Sequence, residues 1–195
     1  MIDNKKVLVA MSGGVDSSLT AALLKDQGYN VIGVTMEILP PELDIESPVE
    51  DARKVADKLD IPFQAVDFTE VFANEVIDYF VSEYAQARTP NPCVICNQEI
   101  KFDALLDKGL ELGADYIATG HYACIEHNDN ERHLIKKPED LHKDQTYNLY
   151  GLTQNQLAHT LMPLGEFKKE ETRQLAQKFD LEVYDKPESQ EICFI

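Results

Sequence analysis

Apolar runs and amphipathic stretches alternate along the first part of the chain. The run Val7–Met11 (VLVAM) predicts a strand buried on both faces, as in a parallel sheet. A short Ser/Gly stretch follows, then a helical pattern with Leu19, Ala22 and Leu23 on one face and Gly28 as the stop. The run at 30–36 (NVIGVTM) predicts a parallel neighbour, and the polar, proline-bearing 37–47 a loop. Residues 48–59 predict a helix with Val49, Ala52, Val55, Ala56 and Leu59 on its apolar face, and 61–68 a third strand. Residues 70–87 read as a long amphipathic helix with Val71, Phe72, Val76, Phe80 and Val81 inward. Pro90 and Pro92 break the pattern and predict a rigid loop over 88–97. A helix over 100–113 and a short strand over 115–122 complete the alternation, which predicts a doubly wound, mostly parallel α/β sheet.

Beyond residue 122 the rhythm changes. Residues 124–136 predict a hairpin around Asn128-Asp129-Asn130, and 153–162 and 168–181 predict helices separated by Pro163 and Gly165. The expected organisation is therefore an α/β core over 1–122 and a hairpin-and-helix extension over 123–195. The extension ends on an apolar run (ICFI), as expected of a fragment or of a short relative of something longer.

With 195 residues and 44% hydrophobic content the chain can build a core of its own. It holds no run of eighteen apolar residues and starts MIDNKK, so a cytoplasmic protein without a membrane span is expected. Four cysteines are too few for a disulfide scaffold at this length and point to metal ligands or reactive thiols. The net charge of −17 is opposite to that of a typical nucleic-acid binder. An RNA substrate needs a local basic patch or a further partner region.

The stretch Ala10, Met11, Ser12, Gly13, Gly14, Val15, Asp16, Ser17 joins a buried strand to a helix start, the geometry that binds phosphate. Gly13 and Gly14 let the backbone approach an anion, and Ser12, Ser17 and Ser18 offer hydroxyls. The Gly-Lys-Ser/Thr ending of the common nucleotide loop is missing; Asp16 stands in the cradle, where a carboxylate makes sense if Mg2+ bridges it to the phosphates. Met36 ends the second strand, where such sheets place ligands, and reads equally well as a core methionine. Cys93 and Cys96 form a CxxC that suits one metal or cluster or a dithiol pair; two incidental thiols are the plain alternative. With the distant Cys193 they could bind a [4Fe–4S] cluster, or two of the three could carry a persulfide and resolve it. Cys124, in a predicted strand, reads as a buried hydrophobe, and His121 as a structural histidine or one that positions phosphate or base.

SGGVDSS closely resembles the signature of the ATP pyrophosphatases, which split ATP between the α and β phosphates and adenylate a substrate. Taken in order, SGGVDSS, RTPNPCVICNQEIKF, ADYIATGHY, KDQTYNLY and SQEICFI resemble the tRNA-specific 2-thiouridylase family. The resemblance implies a Rossmann-like, adenine nucleotide alpha hydrolase-like fold that activates C2 of the wobble uridine in tRNAs for Gln, Glu and Lys, with sulfur arriving as a persulfide from a donor protein. It also implies ATP on residues 10–17, with Met36 and Gly120 near the adenosine, Cys96 as nucleophile and Cys193 as persulfide carrier. Asn91, Pro92 and Cys93 match the segment that contacts the target base, and Lys143, Asp144 and Gln145 match a tRNA-contacting segment.

Two departures matter. Many members carry Asp where this chain has Cys93, and the resulting three-cysteine layout (Cys93, Cys96, Cys193) resembles that of iron–sulfur-dependent tRNA thiolases, which would use inorganic sulfide. The small downstream domains of the family, which help grip tRNA, lie outside this sequence. The competing readings are an ATP pyrophosphatase that adenylates a small molecule for ammonia addition, and a non-catalytic nucleotide- or Fe–S-binding protein. A homodimer is one assembly the sequence allows.

Overall fold

The computed structural model describes residues 4–40, 48–128, 132–187 and 192–194. Its centre is a five-stranded, all-parallel sheet in the order β3-β2-β1-β4-β7, built from β1 (Lys6–Ala10), β2 (Asn30–Glu37), β3 (Phe63–Asp67), β4 (Tyr116–Ala118) and β7 (Thr160–Leu161). In register, Leu8 faces Ile32 on one side and Ile117 on the other. A two-stranded antiparallel ribbon, β5 (Cys124–Glu126) and β6 (Leu134–Lys136), stands apart from the sheet. It confirms the expected hairpin, while most of its predicted turn (129–131) lies outside the described residues.

Side chains alternate across a strand, and in β1 both faces are covered. Val7 and Val9 point into one core with Val15, Ala21, Ala52, Val55, Ala176 and Leu181, from α1 (Val15–Asp26), α2 (Val49–Lys58), α6 (Lys169–Lys178) and the turn after α6. Leu8 and Ala10 point the other way, onto Phe102, Leu105, Ile117, Leu149 and Leu157. α1 therefore lies between the sheet and α6, and so buries Ser18 and Thr20 as well as Leu19 and Leu24.

Three differences from the sequence reading have physical causes. The long helix α3 is continuous but changes winding, running through Thr69–Phe72, the π segment Ala73–Ile77 and Asp78–Ala85. Phe72 and Val76 are buried as expected, but Val81 lies beyond the π turn and is 59% exposed. The expected 88–97 loop gives way at Pro92 to helix α4, made of Pro92–Ile95, the π segment Cys96–Ala104 and Leu105–Glu111. Pro92 stands in the first turn, where its missing N–H costs nothing, and Asn91 Oδ1 caps Cys93 N at 3.2 Å. The expected helix over 153–162 stops at α5 (Gln154–Ala158), and Thr160–Leu161 becomes the edge strand beside β4. The sheet thus takes a strand from the segment after residue 122, and α6 packs on α1.

Candidate functional site

The chain order reverses between β1 and β4, since β1 leads to β2 on one side and pairs β4 on the other. Ligands of open α/β sheets bind at such a point, outside the carboxyl ends of the strands. The 11–14 stretch leaves β1 there. Gly13 takes φ +66°, and a Cβ on it would lie 2.8 Å from Asp51 Cβ, so α2 presses directly on the turn. A Cβ on Gly120 would lie 2.9 Å from both Asp16 C and Ser17 N, so the backbone after β4 rests on the first turn of α1. Only glycine fits either close approach.

Among the described residues no acceptor meets the N–H of Gly13, Gly14 or Val15. These donors and the helix start are open to an anion. The hydroxyls are less free than the sequence implied. Ser17 Oγ accepts from Ser12 N (3.1 Å) and lies 3.2 Å from Ser12 Oγ, which shapes the turn. Ser18 Oγ donates to Gly14 O at 2.7 Å and is buried, so it caps its own helix.

Asp16 departs from the expected role of an open Mg2+ ligand. Lys169 Nζ reaches both carboxylate oxygens, at 2.7 and 2.8 Å, and Tyr122 Oη donates to Oδ1 at 3.0 Å. Lys169 is only 11% exposed, so this is a sheltered pair with both oxygens engaged, and the arrangement offers no free carboxylate to a cation. A second lysine stands on the turn itself. Lys186 Nζ lies 3.2 Å from Gly13 O and 2.7 Å from Asp51 Oδ2, and holds the Asp51 carboxyl below the usual range.

The thiols gather at the same edge. Cys93 is exposed, Cys96 buried and Cys193 exposed. Phe194 packs edge-on against Phe72 (5.7 Å) and Phe80 (5.3 Å), and joins the cluster of Phe72, Val76, Cys96 and Ile100, against which Met36 also packs. This seats Cys193 beside Cys96. Burial pushes the Cys96 thiol above its ordinary value, Lys101 pulls it back, and Cys193 and Cys93 push it up again. Burial likewise raises Cys193, against the pull of Lys101. Cys96 and Cys193 thus share one cation, Lys101, and both feel Cys93. Among the described residues, however, no three His, Cys, Asp or Glu side chains converge as metal ligands, so of the two readings of the thiols their placement does not form the [4Fe–4S] site.

Other expected residues serve the frame. His121 is buried with Nδ1 2.8 Å from Thr119 Oγ1 and its ring against Phe102, and burial drives its pKa down to about 3, so it is neutral. Gln145 clamps Tyr122, accepting from Tyr122 N at 2.8 Å and donating its own N–H to Tyr122 O. Asp144 Oδ1 accepts from Thr146 N and Oγ1, and Lys143 ends the turn Leu141–Lys143. Cys124, on β5, is partly exposed rather than buried.

A family model described as the tRNA methyl transferase HUP domain matches residues 5–195. The chain belongs to the tRNA methyl transferase HUP domain family. Similar relatives of this HUP domain bear the name tRNA-specific 2-thiouridylase MnmA, as the motifs implied. That of Halothermothrix orenii is 62% identical over 97% of this chain and 56% of its own length. That of Clostridium acetobutylicum is 55% identical over 98% and 56%, and that of Carboxydothermus hydrogenoformans 54% over 100% and 56%. The chain thus spans about half the length of the curated relatives it matches. The fold is also that of a 4-thiouridine synthetase–RNA complex with bound ATP (TM-score 0.67, 20% identity, 97% of this chain and 45% of that one). It is shared by the U34-tRNA thiolase NcsA from Methanococcus maripaludis with its [4Fe-4S] cluster (TM-score 0.59, 20% identity, 98% and 62%). No helix among the described residues of the HUP domain is long and apolar enough to cross a membrane. The sequence reading missed Lys169, Lys186 and Tyr122. Both lysines sit in polar segments where cations ordinarily face water, and nothing local marks them as partners of a loop more than 150 residues away.

Proposed function

We propose that this HUP domain adenylates the C2 oxygen of a tRNA wobble uridine with ATP and then delivers sulfur to C2. The tRNAs are those for Gln, Glu and Lys, and a sulfur-relay protein charges Cys193. The observation that carries the reading is the shared edge: the open N–H groups of the Gly13–Gly14 turn follow the carboxyl end of β1, and the cluster that holds Cys96 and Phe194 packs against Met36 at the carboxyl end of the neighbouring β2.

The chemistry follows from that placement. Uracil O2 is a poor leaving group, and transfer of AMP to it makes it a good one. The N–H groups of the turn stabilise charge on the departing pyrophosphate without reorganising. The terminal sulfur of a Cys193 persulfide then attacks C2 and AMP leaves. The Cys96 thiolate attacks the inner sulfur, which frees the thiocarbonyl and closes a Cys96–Cys193 disulfide; a dithiol reductant reopens it. Asn91, Pro92 and exposed Cys93 open helix α4 beside the nucleophile and face the target base. Lys143, Asp144 and Gln145 form a neighbouring tRNA contact, where Gln145 acts through its clamp on Tyr122.

The test uses unmodified tRNA, ATP and a persulfide donor. Cys96→Ser is expected to release AMP and pyrophosphate but to form no 2-thiouridine by nucleoside mass spectrometry. An unchanged 2-thiouridine yield overturns the role of Cys96.

A further inference from the structure

The common nucleotide loop carries a lysine within its own sequence, and this turn does not. A triphosphate brings about four negative charges to a chain of net charge −17, so its cations must come from elsewhere. The structure places two lysines on the turn from the far end of the chain. We propose that Lys169 and Lys186 are the phosphate-binding cations of this site, held in waiting by Asp16 and Asp51 until the nucleotide's β and γ phosphates take the carboxylates' place.

Both lysines are anchored through their backbone, and each ammonium is held by a carboxylate at the turn. Lys169 opens α6, and its N–H donates to Asp140 Oδ2 at 3.0 Å. The carbonyl of Lys186 accepts from Arg173, which also holds Tyr184 O at 2.9 Å. The side chain of Lys186 is 41% exposed, as is that of Asp51, so this pair opens into water at little cost, as surface pairs do. Its ammonium already touches the Gly13 carbonyl, beside the N–H groups that have no acceptor among the described residues. A carboxylate and a phosphate oxygen make the same demand on an ammonium, so one can replace the other without rebuilding the site. Lys186 precedes Cys193 by seven residues, so the cation that grips the nucleotide and the thiol that carries sulfur share one stretch of chain.

The proposal rests on the nucleotide reading above, and calorimetric titration of the whole chain with ATP and with AMP separates the two. Wild-type chain that binds neither nucleotide sinks the nucleotide reading itself. Given wild-type binding, Lys186→Ala and Lys169→Met are each expected to weaken ATP at least tenfold while AMP changes by less than about twofold. Methionine keeps an unbranched side chain of similar length near Tyr122 and removes the charge, and thermal melts of each variant check folding. Asp51→Asn removes the competitor of the phosphates and is expected to tighten ATP a few-fold, an effect that a structural ion pair does not produce. Unchanged ATP affinity in both lysine variants, equal losses for ATP and AMP, or weaker ATP binding in Asp51→Asn would each overturn it.

Discussion

Mild acid should destabilise this fold through His121. The ring is buried, its Nδ1 bonded to Thr119 Oγ1 and its face against Phe102, and in the native state it titrates at about 3 against 6.5 for a free histidine. Burial is the first cause and the positive charge of Lys101 the second. Because the native value is depressed, the unfolded chain binds the proton first. Stability is intact above the unfolded value and falls as the pH drops from there toward the native one. Between about pH 7.5 and pH 5 the unfolded ring goes from mostly neutral to almost fully charged while the native ring stays neutral, which removes about 2 kcal/mol. Urea unfolding followed by circular dichroism at those two values measures the loss. His121→Asn retains a polar atom near Thr119 and removes the titration, so its loss over the same interval should be smaller by about 2 kcal/mol. Equal pH dependence in both proteins would refute the claim that a buried neutral His121 controls this interval.

Two further outcomes follow from the site. Gly13→Ala forces a side chain into the left-handed region at φ +66° and 2.8 Å from Asp51 Cβ, so it should cost about 1–2 kcal/mol, lower Tm by several degrees and weaken ATP binding; unchanged melting and affinity would contradict the close packing of the turn. Since burial raises the Cys96 thiol, its alkylation by iodoacetamide at about pH 8 should be slower than that of free cysteine, rise with pH, and slow further in Lys101→Met; fast, pH-independent alkylation by peptide mass spectrometry would contradict it.

The fold was legible where one element does one job. The apolar runs of β1, β2 and β3 and the single apolar stripe of α2 carry their own periods, and the Gly13–Gly14 turn is defined by what surrounds it in the chain. β7 was not, because two residues after a short helix hold no period and become a strand only beside β4. Nor was the π winding of α3 and α4, which turned Val81 outward and placed the CxxC on a helix rather than a loop. In the site, Cys96 and Cys193 were legible by motif, but Asp16 was read as an open carboxylate because its partners Lys169 and Tyr122 lie more than 100 residues away. His121 left two roles open until its burial and its bond to Thr119 fixed it in the frame.

The central claim is that thiols nearly a hundred residues apart meet at the edge of the nucleotide site, and disulfide trapping tests it most directly. In a Cys93→Ser background, mild oxidation with diamide, digestion and mass spectrometry should recover Cys96 joined to Cys193 as the main cross-link. Cys193 left free, or joined to Cys124 on the ribbon instead, would contradict the account.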